Sequence, residues 1–325
     1  MARGEAPQPA ARRTVLLALA ANASIAVAKL FAGLVSGSSA MLAETAHSVA
    51  DTMNQVFLLY SLSVGEREPD AAHPFGYGKE RFFWSFLAAV GIFVAGAGFS
   101  LYEGLSRIFG PETESGSYSI AYAVLAFAAL AEGASLVRAW RHTRAEAGAQ
   151  RQSHAHYVRA SRDPTTKTVL FEDSAAVVGV AVAFAGVALH EATGNQVYDG
   201  VASVIIAAVL ATVAVALGRD TRALLIGEAA SPEERQAVTA IIEAHPAVDG
   251  LLELLTMALA PDRLLVAARI DLADGLSADE IERASSDLDG ELRERIPSVW
   301  QVFLDATPRS EVARAQEDTR RATDA

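Results

Sequence analysis

The sequence predicts a helical membrane protein that carries a small α/β domain towards its C-terminal end. Of its 325 residues, 51% are hydrophobic, and the mean hydropathy is +0.24. The apolar residues come in blocks of about 20, the length that a helix needs to cross a hydrocarbon core of about 30 Å. The charge is uneven as well, because 21 of the 39 acidic residues but only 11 of the 27 basic ones lie from Arg222 onward. The first two thirds are therefore expected in a membrane and the rest in water.

Six apolar blocks predict six transmembrane helices, since each block is near the length that one crossing requires. The blocks are Thr14–Val35, Ser39–Ser63, Phe82–Leu101, Tyr118–Val137, Thr168–Leu189 and Gln196–Leu217. Basic residues precede the first block, as they precede the apolar part of a signal peptide. The length of this block, and Asn22 and Lys29 inside it, favour a helix that stays in the protein.

The basic residues predict the orientation of these helices, because loops rich in Lys and Arg stay on the cytoplasmic side. Such residues lie in the N-terminal segment and in the second and fourth connections. The other three connections contain none; they are Gly37-Ser38, Pro111–Gly116 and His190–Asn195. Both termini are therefore expected in the cytoplasm, with residues 1–13 as a tail and 14–221 as the transmembrane domain. The arginines of the fourth connection are expected to meet anionic lipid headgroups, and its scattered histidines are not expected to capture metal.

Residues 222–308 predict a small domain with the element order α-β-β-α-β. Each helix opens with a capping box, which begins at Ser231 in the first helix and at Ser277 in the second. The strand-like runs are Leu251–Leu259, Arg263–Leu272 and Val299–Ala306. The small and charged residues 309–325 are expected to be disordered.

Composition excludes several classes of site and partner. Because the chain has no cysteine, a metal site must use His, Asp, Glu or Asn. The net charge of -12 argues against nucleic acid as a partner, since phosphate binding needs clustered Lys and Arg. Neither G-x-S-x-G, H-E-x-x-H nor the ATP-binding G-x-x-x-x-G-K-[ST] occurs. We therefore expect neither an enzyme nor a bound cofactor.

The second apolar block carries the main candidate site. Its polar residues are spaced three, four and three apart and so share one helical face; they are Glu44, His47, Asp51 and Asn54. A charged side chain at the centre of a membrane costs about 2.5–3.5 kcal/mol, and such residues usually mark an ion pathway. His47 and Asp51 can reach one divalent cation such as Zn²⁺, without excluding Mn²⁺, Fe²⁺ or Co²⁺. The alternative is a buried hydrogen bond between His47 and Asp51 that locks the bundle.

Charged residues also lie in the other blocks. Glu172 and Asp173 stand near the start of the fifth block. Neighbours on a helix point about 100° apart, so both carboxylates can line one metal site only if the direction to the ion falls between them. Otherwise one of them binds the ion and the other contacts that ligand. The single charges elsewhere are expected to pair with neighbours or to extend from helix ends; they are Lys29, Glu103, Glu132 and Asp199.

These features together resemble the cation diffusion facilitator family of metal/proton antiporters. Besides the His47-x-x-x-Asp51 pair, three segments are similar to motifs of that family: His73-Pro-Phe-Gly-Tyr-Gly-Lys-Glu-Arg, Asp199-Gly-Val-Ala-Ser and Leu224-Leu-Ile-Gly-Glu. The resemblance implies a metallochaperone-like fold for the tail domain and a homodimer. It also implies export of a divalent metal, Zn²⁺ before Mn²⁺, Fe²⁺ or Co²⁺, from the cytoplasm in exchange for protons.

Such exchange needs no ATP, because metal and protons compete for the same imidazole and carboxylate atoms. The alternative function is a membrane-embedded scaffold that senses metal without transporting it. The Arg-rich, Lys-poor composition and the lack of an organelle-targeting extension favour a bacterial plasma membrane.

The fifth span departs from the family pattern. The usual second His would stand four residues before Asp173, where this chain has Val169. The resemblance therefore implies His47, Asp51 and Asp173 as ligands, with Glu172 in place of the missing imidazole. The sequence Glu172-Asp173 is similar to that of the subgroup whose members have Glu-Asp at this point of the fifth span. An oxygen-rich site of this kind would be less strict for zinc.

A second, weaker metal site is implied in the loop after the second span. Asp70 and His73 match two of its ligands, but Tyr77 replaces the second His. A phenol is a poorer zinc ligand than an imidazole. The alternative is a plain turn whose backbone is fixed by Pro74 and Gly76.

The tail domain is expected to bind no metal where some relatives hold zinc. Those histidine positions fall near Leu252, Arg269 and Asp305, so an aliphatic residue and a cation replace two imidazoles. Arg269 would repel a divalent cation and is expected to pair with Asp305. Trp300 is the expected aromatic anchor of the dimer contact.

Overall fold

The computed structural model of the chain describes residues 9–111, 116, 118–149 and 151–308. The chain divides into two compact units. One comprises Met1–Glu66 and Glu80–Arg222, and the other comprises Arg67–Lys79 and Ala223–Ala325. The expected disorder of 309–325 lies outside the described residues.

The first unit is helical throughout the part that is described. Its helices are α1 (Pro9–Ser36), α2 (Ser39–Gly65), α3 (Glu80–Gly91), α4 (Phe99–Phe109), α5 (Tyr118–Ala149), α6 (His154–Ala160), α7 (Pro164–Thr193) and α8 (Val197–Ile226), of which the residues from Ala223 onward are counted with the second unit. A π-helical segment, Ile92–Gly98, joins α3 to α4, so that Glu80–Phe109 runs as one helix. The short helix α6 lies in the fourth connection, for which the sequence predicts no helix.

Five helices among the described residues are long and apolar enough to cross a membrane. They lie at Leu19–Ser36, Glu80–Phe109, Tyr118–Ala149, Thr166–Thr193 and Val197–Ile226. The α2 helix is not among them, and we attribute this to Glu44, His47 and Asp51, which lower its hydropathy. A multi-pass membrane protein is thus confirmed, whereas the sixth crossing and the cytoplasmic position of both termini stay predictions.

The polar face of α2 packs against other helices. It contacts α1, α3, the π-helical segment, α4 and α7. Glu44, His47 and Asn54 are buried in these contacts. Small neighbours such as Ala40 and Ala43 are fully buried as well, which lets adjacent helices approach closely. A helix enclosed in this way need not present an apolar surface to lipid on every side.

The second unit contains the predicted α/β pattern. Its elements are α9 (Pro232–Ala244), β1 (Val248–Ala260), β2 (Arg263–Leu272), α10 (Ala278–Arg295) and β3 (Val299–Ala306). The sheet order is β1-β2-β3, with β1 antiparallel and β3 parallel to β2. Both capping boxes are confirmed, from Ser231 to Glu234 and from Ser277 to Glu280. Apolar faces of both helices pack on the sheet, where Val238, Leu264 and Leu288 are fully buried.

The segment Arg67–Lys79 packs within the second unit. The rings of Phe75 and Phe303 lie 6.5 Å apart. A Cβ atom at Gly78 would stand 2.6 Å from the carbonyl oxygen of Leu259, so only glycine permits this approach. The Lys79 ammonium donates to the carbonyl oxygen of Leu225 at 3.5 Å.

Candidate metal centre

The α2 helix places His47 and Asp51 one turn apart inside the first unit. His47 Nδ1 lies 3.4 Å from Asp51 Oδ1, and the side chains are 1% and 14% exposed. Within the described structure, neither ring nitrogen of His47 nor Asp51 Oδ1 has a hydrogen-bond partner. The hydrogen-bonded His–Asp lock is therefore not present. Buried polar atoms without partners are costly, and a divalent cation is a ligand that would satisfy them.

Asn54 holds Glu172 across the contact between α2 and α7. The Asn54 side-chain nitrogen donates to both carboxylate oxygens of Glu172, at 2.7 and 2.6 Å. Glu172 is also close enough to Asp51 to interact with it electrostatically. The polar spacing on α2 singles out Asn54 but does not reveal this partner. Glu172 thus lies beside Asp51 in an orientation that an amide fixes.

Asp173 faces a different neighbour from Glu172. Ser135 of α5 lies close to the Asp173 carboxylate, and Oδ2 of that carboxylate has no hydrogen-bond partner in the described part of the chain. Val169, one turn earlier on α7, is 36% exposed. Adjacent helical residues point about 100° apart, which explains why the two carboxylates meet α2 and α5 respectively.

The four predicted ligands are not gathered into one coordination shell. Among the described residues, no group of three or more His, Asp or Glu side chains is placed to hold a metal ion together. His47 and Asp51 form a pair, Glu172 accepts hydrogen bonds from Asn54, and Asp173 lies on the side of α7 that faces Ser135. Glu172 would have to leave Asn54 before it could bind the ion.

A buried ion cluster lies one to two turns from this pair. The Lys29 ammonium of α1 is 3.0 Å from Glu44 Oε2 and 3.5 Å from Glu132 Oε1. It also donates to Ser48 Oγ at 2.8 Å. The expectation that Lys29 and Glu132 pair with neighbours is confirmed, because Lys29 pairs with both Glu132 and Glu44. The cluster ties α1, α2 and α5 together.

A narrow crevice is lined by residues of both the ion cluster and the candidate site. It is lined by Asn22, Ile25, Ser48, Asp51 and Glu132. Asp51 and Glu132 therefore face the same space between α1, α2 and α5. Asn22, one of the polar residues in the first predicted span, also lines this crevice.

The part of the chain that holds this site matches a known protein family. The model of the cation efflux transmembrane domain matches residues 15–226. The chain belongs to the cation efflux family. The resemblance to the cation diffusion facilitators is confirmed at this level, and membership of the subgroup with Glu-Asp on the fifth span stays a prediction.

Several proteins of known name are similar to this cation efflux protein. It is 34% identical over 259 residues to the proton-coupled zinc antiporter SLC30A9, mitochondrial, of Xenopus laevis, which covers 80% of this chain and 46% of that protein. Metal tolerance protein C4 of Arabidopsis thaliana is 35% identical over 260 residues, covering 80% and 57%. Manganese efflux system protein MneP of Bacillus subtilis is 31% identical over 114 residues, covering 35% and 38%. The chain therefore spans about half the length of the first two relatives.

The loop that carries Asp70 and His73 is a hydrogen-bonded turn. Asp70 Oδ1 accepts from the backbone N–H groups of Ala72 and His73 at 2.9 and 2.7 Å, and Oδ2 accepts from the Tyr77 hydroxyl at 2.7 Å. The Tyr77 bond is the first cause that lowers the pKa of Asp70 below its ordinary value. Gly76, with φ +74°, closes the turn. A metal at Asp70 and His73 would have to compete with these bonds, and that site stays a prediction.

In the tail domain, Arg269 pairs with acidic neighbours on the sheet surface. Arg269 Nε donates to Asp305 Oδ2 at 2.8 Å, as predicted, and Nη1 donates to Glu253 Oε2 at 3.1 Å. The pair raises the pKa of Arg269 and lowers the pKa of Asp305, chiefly through their hydrogen bond. Trp300 stacks on Arg263, whose guanidinium carbon is 5.4 Å from the ring centre.

Proposed function

We propose that this cation efflux protein exports a divalent transition-metal cation, Zn²⁺ before Mn²⁺, Fe²⁺ or Co²⁺, in exchange for protons. The observation that supports this most directly is the buried pair His47 and Asp51, whose facing atoms have no hydrogen-bond partners in the described structure. An imidazole nitrogen and a carboxylate oxygen are a donor set that Zn²⁺ accepts readily. The names of the zinc and manganese relatives agree with a cation of this class.

The remaining ligands of this proposal come from α7. Asp173 is the third ligand, because Oδ2 is buried and free of hydrogen bonds. Glu172 completes the set when it leaves Asn54. Each ligand must be deprotonated to bind metal, so protons and metal compete for it and their exchange follows from the same atoms. The carboxylate oxygens outnumber the nitrogens, which admits Mn²⁺ beside Zn²⁺.

The wider arrangement is part of the same proposal. We infer six crossings with both termini in the cytoplasm, a homodimer paired through the tail domains, and a bacterial plasma membrane as the location. The loop residues Asp70 and His73 would form at most a weak second metal site. Anionic lipid would meet the arginines of the fourth connection.

Purified protein in sealed vesicles tests the proposal. A metal-sensitive dye inside the vesicles and a pH-sensitive dye in a parallel set should report inward Zn²⁺ movement coupled to outward proton movement. Asp51→Ala should abolish both signals. Asp220→Asn is the matched control, because Asp220 is on α8, pairs with Lys167 at 3.0 Å and is 45% exposed; it should transport like the parent.

The outcomes separate the two functions considered. Metal binding by the parent without any flux would favour the sensing scaffold and overturn the transport proposal. Flux that survives Asp51→Ala would overturn the site. Flux of metal with no proton signal would overturn the exchange.

A further inference from the structure

The first turn of α2 is capped by a carboxylate from another helix. Asp199, on α8, is fully buried. Its Oδ2 accepts from the backbone N–H of Ser39 at 2.6 Å and from the Ser39 hydroxyl at 3.0 Å. Its Oδ1 accepts from the Ser38 hydroxyl at 2.6 Å and from the backbone N–H of Ala40 at 3.3 Å. All four donors lie at the start of α2.

This contact satisfies groups that a helix cannot satisfy by itself. The first N–H groups of a helix have no intrahelical acceptor, and the helix dipole places partial positive charge there. The Ser38 side chain serves only one of them, by accepting from the N–H of Met41 at 3.2 Å. Asp199 supplies the remaining acceptors together with a negative charge. Hydrogen bonds to an ionised carboxylate are the stronger kind, so the contact fixes the start of α2 firmly.

The residues next to Asp199 bring a third helix to the same place. A Cβ atom at Gly200 would stand 2.8 Å from the carbonyl oxygen of Gly104 on α4, and a Cβ at Gly104 would stand 2.8 Å from that of Gly200. Two glycines therefore let α4 and α8 touch through their backbones. Arg107, one turn beyond Gly104, is 8% exposed and places Nε 3.8 Å from Asp199 Oδ2.

A further residue of the same motif reaches α2. The Ser203 hydroxyl, one turn after Asp199, donates to Ser39 Oγ at 3.0 Å. In the segment Asp199-Gly-Val-Ala-Ser, the Asp and the Ser thus bind the first turn of α2, and the Gly admits α4. The motif is explained by contacts to the helix that carries His47.

We propose that Asp199 is a positioning residue, which with Ser203 and Arg107 clamps the start of α2 and thereby holds His47 and Asp51 in the orientation that binds metal. An α-helix transmits a displacement of its first turn along its length, and His47 is only nine residues from Ser38. This inference rests on the proposed function for its transport arm, and it has a second arm that does not.

The transport arm compares KM with maximal rate. Asp199→Asn removes the charge and replaces one acceptor oxygen with a donor. If the clamp holds the binding-competent orientation, loosening it lowers the competent fraction, and the apparent affinity falls by that fraction. We expect the KM for Zn²⁺ to rise about tenfold, while saturating metal restores the maximal rate to within about twofold. Asp220→Asn on the same helix should change neither value.

A merely structural role would give the opposite split. Fewer folded molecules would lower the maximal rate and leave the KM unchanged, and that result would overturn the proposal. Unchanged values for Asp199→Asn would overturn it as well.

The second arm uses the absence of cysteine from the chain. Met41→Cys places a single thiol in the first turn of α2, at a side chain that is fully buried. Asp199→Asn on this background should raise the rate of maleimide labelling about tenfold, because the rate follows the fraction of molecules whose first turn has left its buried position. Asp220→Asn should leave the rate as it is. Equal rates in the two variants would overturn the clamp.

Ser203→Ala keeps the test open if Asp199→Asn does not fold. It removes one hydroxyl donor and should raise the labelling rate about threefold, in line with a neutral hydrogen bond. No change for Ser203→Ala would then count against the clamp. Because labelling needs no transport, a parent protein that moves no metal would refute the proposed function while the labelling rates still decide the clamp.

Discussion

Replacing Lys29 with methionine should destabilise the first unit strongly. The Lys29 ammonium faces Glu44 Oε2 at 3.0 Å and Glu132 Oε1 at 3.5 Å, and the side chains of Lys29 and Glu44 are 0% exposed. Methionine fills a similar volume but carries no charge. Lys29→Met would therefore leave two buried carboxylates without the cation that faces them.

The magnitude follows from the burial of the pair. Removing one partner of a buried ion pair costs about 3–5 kcal/mol, because the other charge stays in a low dielectric. Glu44→Gln should cost less, about 1–3 kcal/mol, since Lys29 keeps Glu132 and Ser48 as partners. In the double variant neither position 29 nor 44 is charged, so its loss should be smaller than the sum by about 1–3 kcal/mol.

Unfolding by sodium dodecyl sulfate in mixed micelles, followed by tryptophan fluorescence, measures these losses. The matched control is Lys167→Met, because Lys167 is also 3.0 Å from its partner Asp220, but that pair is 14% and 45% exposed. Because Asp220 is open to water, this pair is closer to a surface ion pair, which contributes about 0–1 kcal/mol. Equal losses for Lys29→Met and Lys167→Met, or strictly additive losses in the double variant, would refute the reasoning.

Three further results are expected. Asp173→Ala should lower zinc flux below about a tenth of the parent, whereas Glu172→Gln should retain more, because its amide oxygen can still accept from Asn54. Flux in vesicles measures both variants. Val169→His should raise the preference for Zn²⁺ over Mn²⁺ in competition flux, since it adds a nitrogen ligand one turn before Asp173. Tyr77→Phe should raise the pKa of Asp70, because the hydrogen bond from Tyr77 is the first cause of the lowered pKa. Following the NMR chemical shift of the Asp70 carboxyl carbon against pH measures this pKa. A lowered carboxyl pKa stabilises the fold above its unfolded-state value and loses that contribution as pH falls through the folded value, so Tyr77→Phe should weaken this acid dependence.

Local signals explain why the tail domain could be predicted closely. Capping boxes at Ser231 and Ser277 fix where the two helices begin, and β2 and β3 have the bounds that the pattern predicts. The first strand was predicted from Leu251 but starts at Val248, because Val248 pairs with Leu272 across the sheet. That extension depends on the neighbouring strand, which a periodic pattern in one segment does not contain.

Long-range contacts explain what the sequence left out. The segment Arg67–Lys79 belongs with the second unit through Phe75 and Gly78, whose partners lie almost two hundred residues or more away along the chain. The π-helical segment Ile92–Gly98 is glycine-rich, yet glycine alone does not predict an altered helical hydrogen-bond pattern. Similarly, spacing put Glu44, His47, Asp51 and Asn54 on one face but could not name the residues opposite them.

The site itself is distinguished by hydrogen bonding more than by charge. Asp199 and Lys29 are as deeply buried as His47, but Asp199 accepts from four donors and Lys29 donates to Glu44 Oε2 and Ser48 Oγ. Such groups lose little by being buried and act as fixed ties between helices. His47 differs, since both of its ring nitrogens lack partners in the described structure, at a cost of about 1–3 kcal/mol for an unsatisfied buried group. A cost of that size is offset when a cation binds, which is why the unpartnered pair His47 and Asp51, and not the better paired charges around it, is where this cation efflux protein should hold its metal.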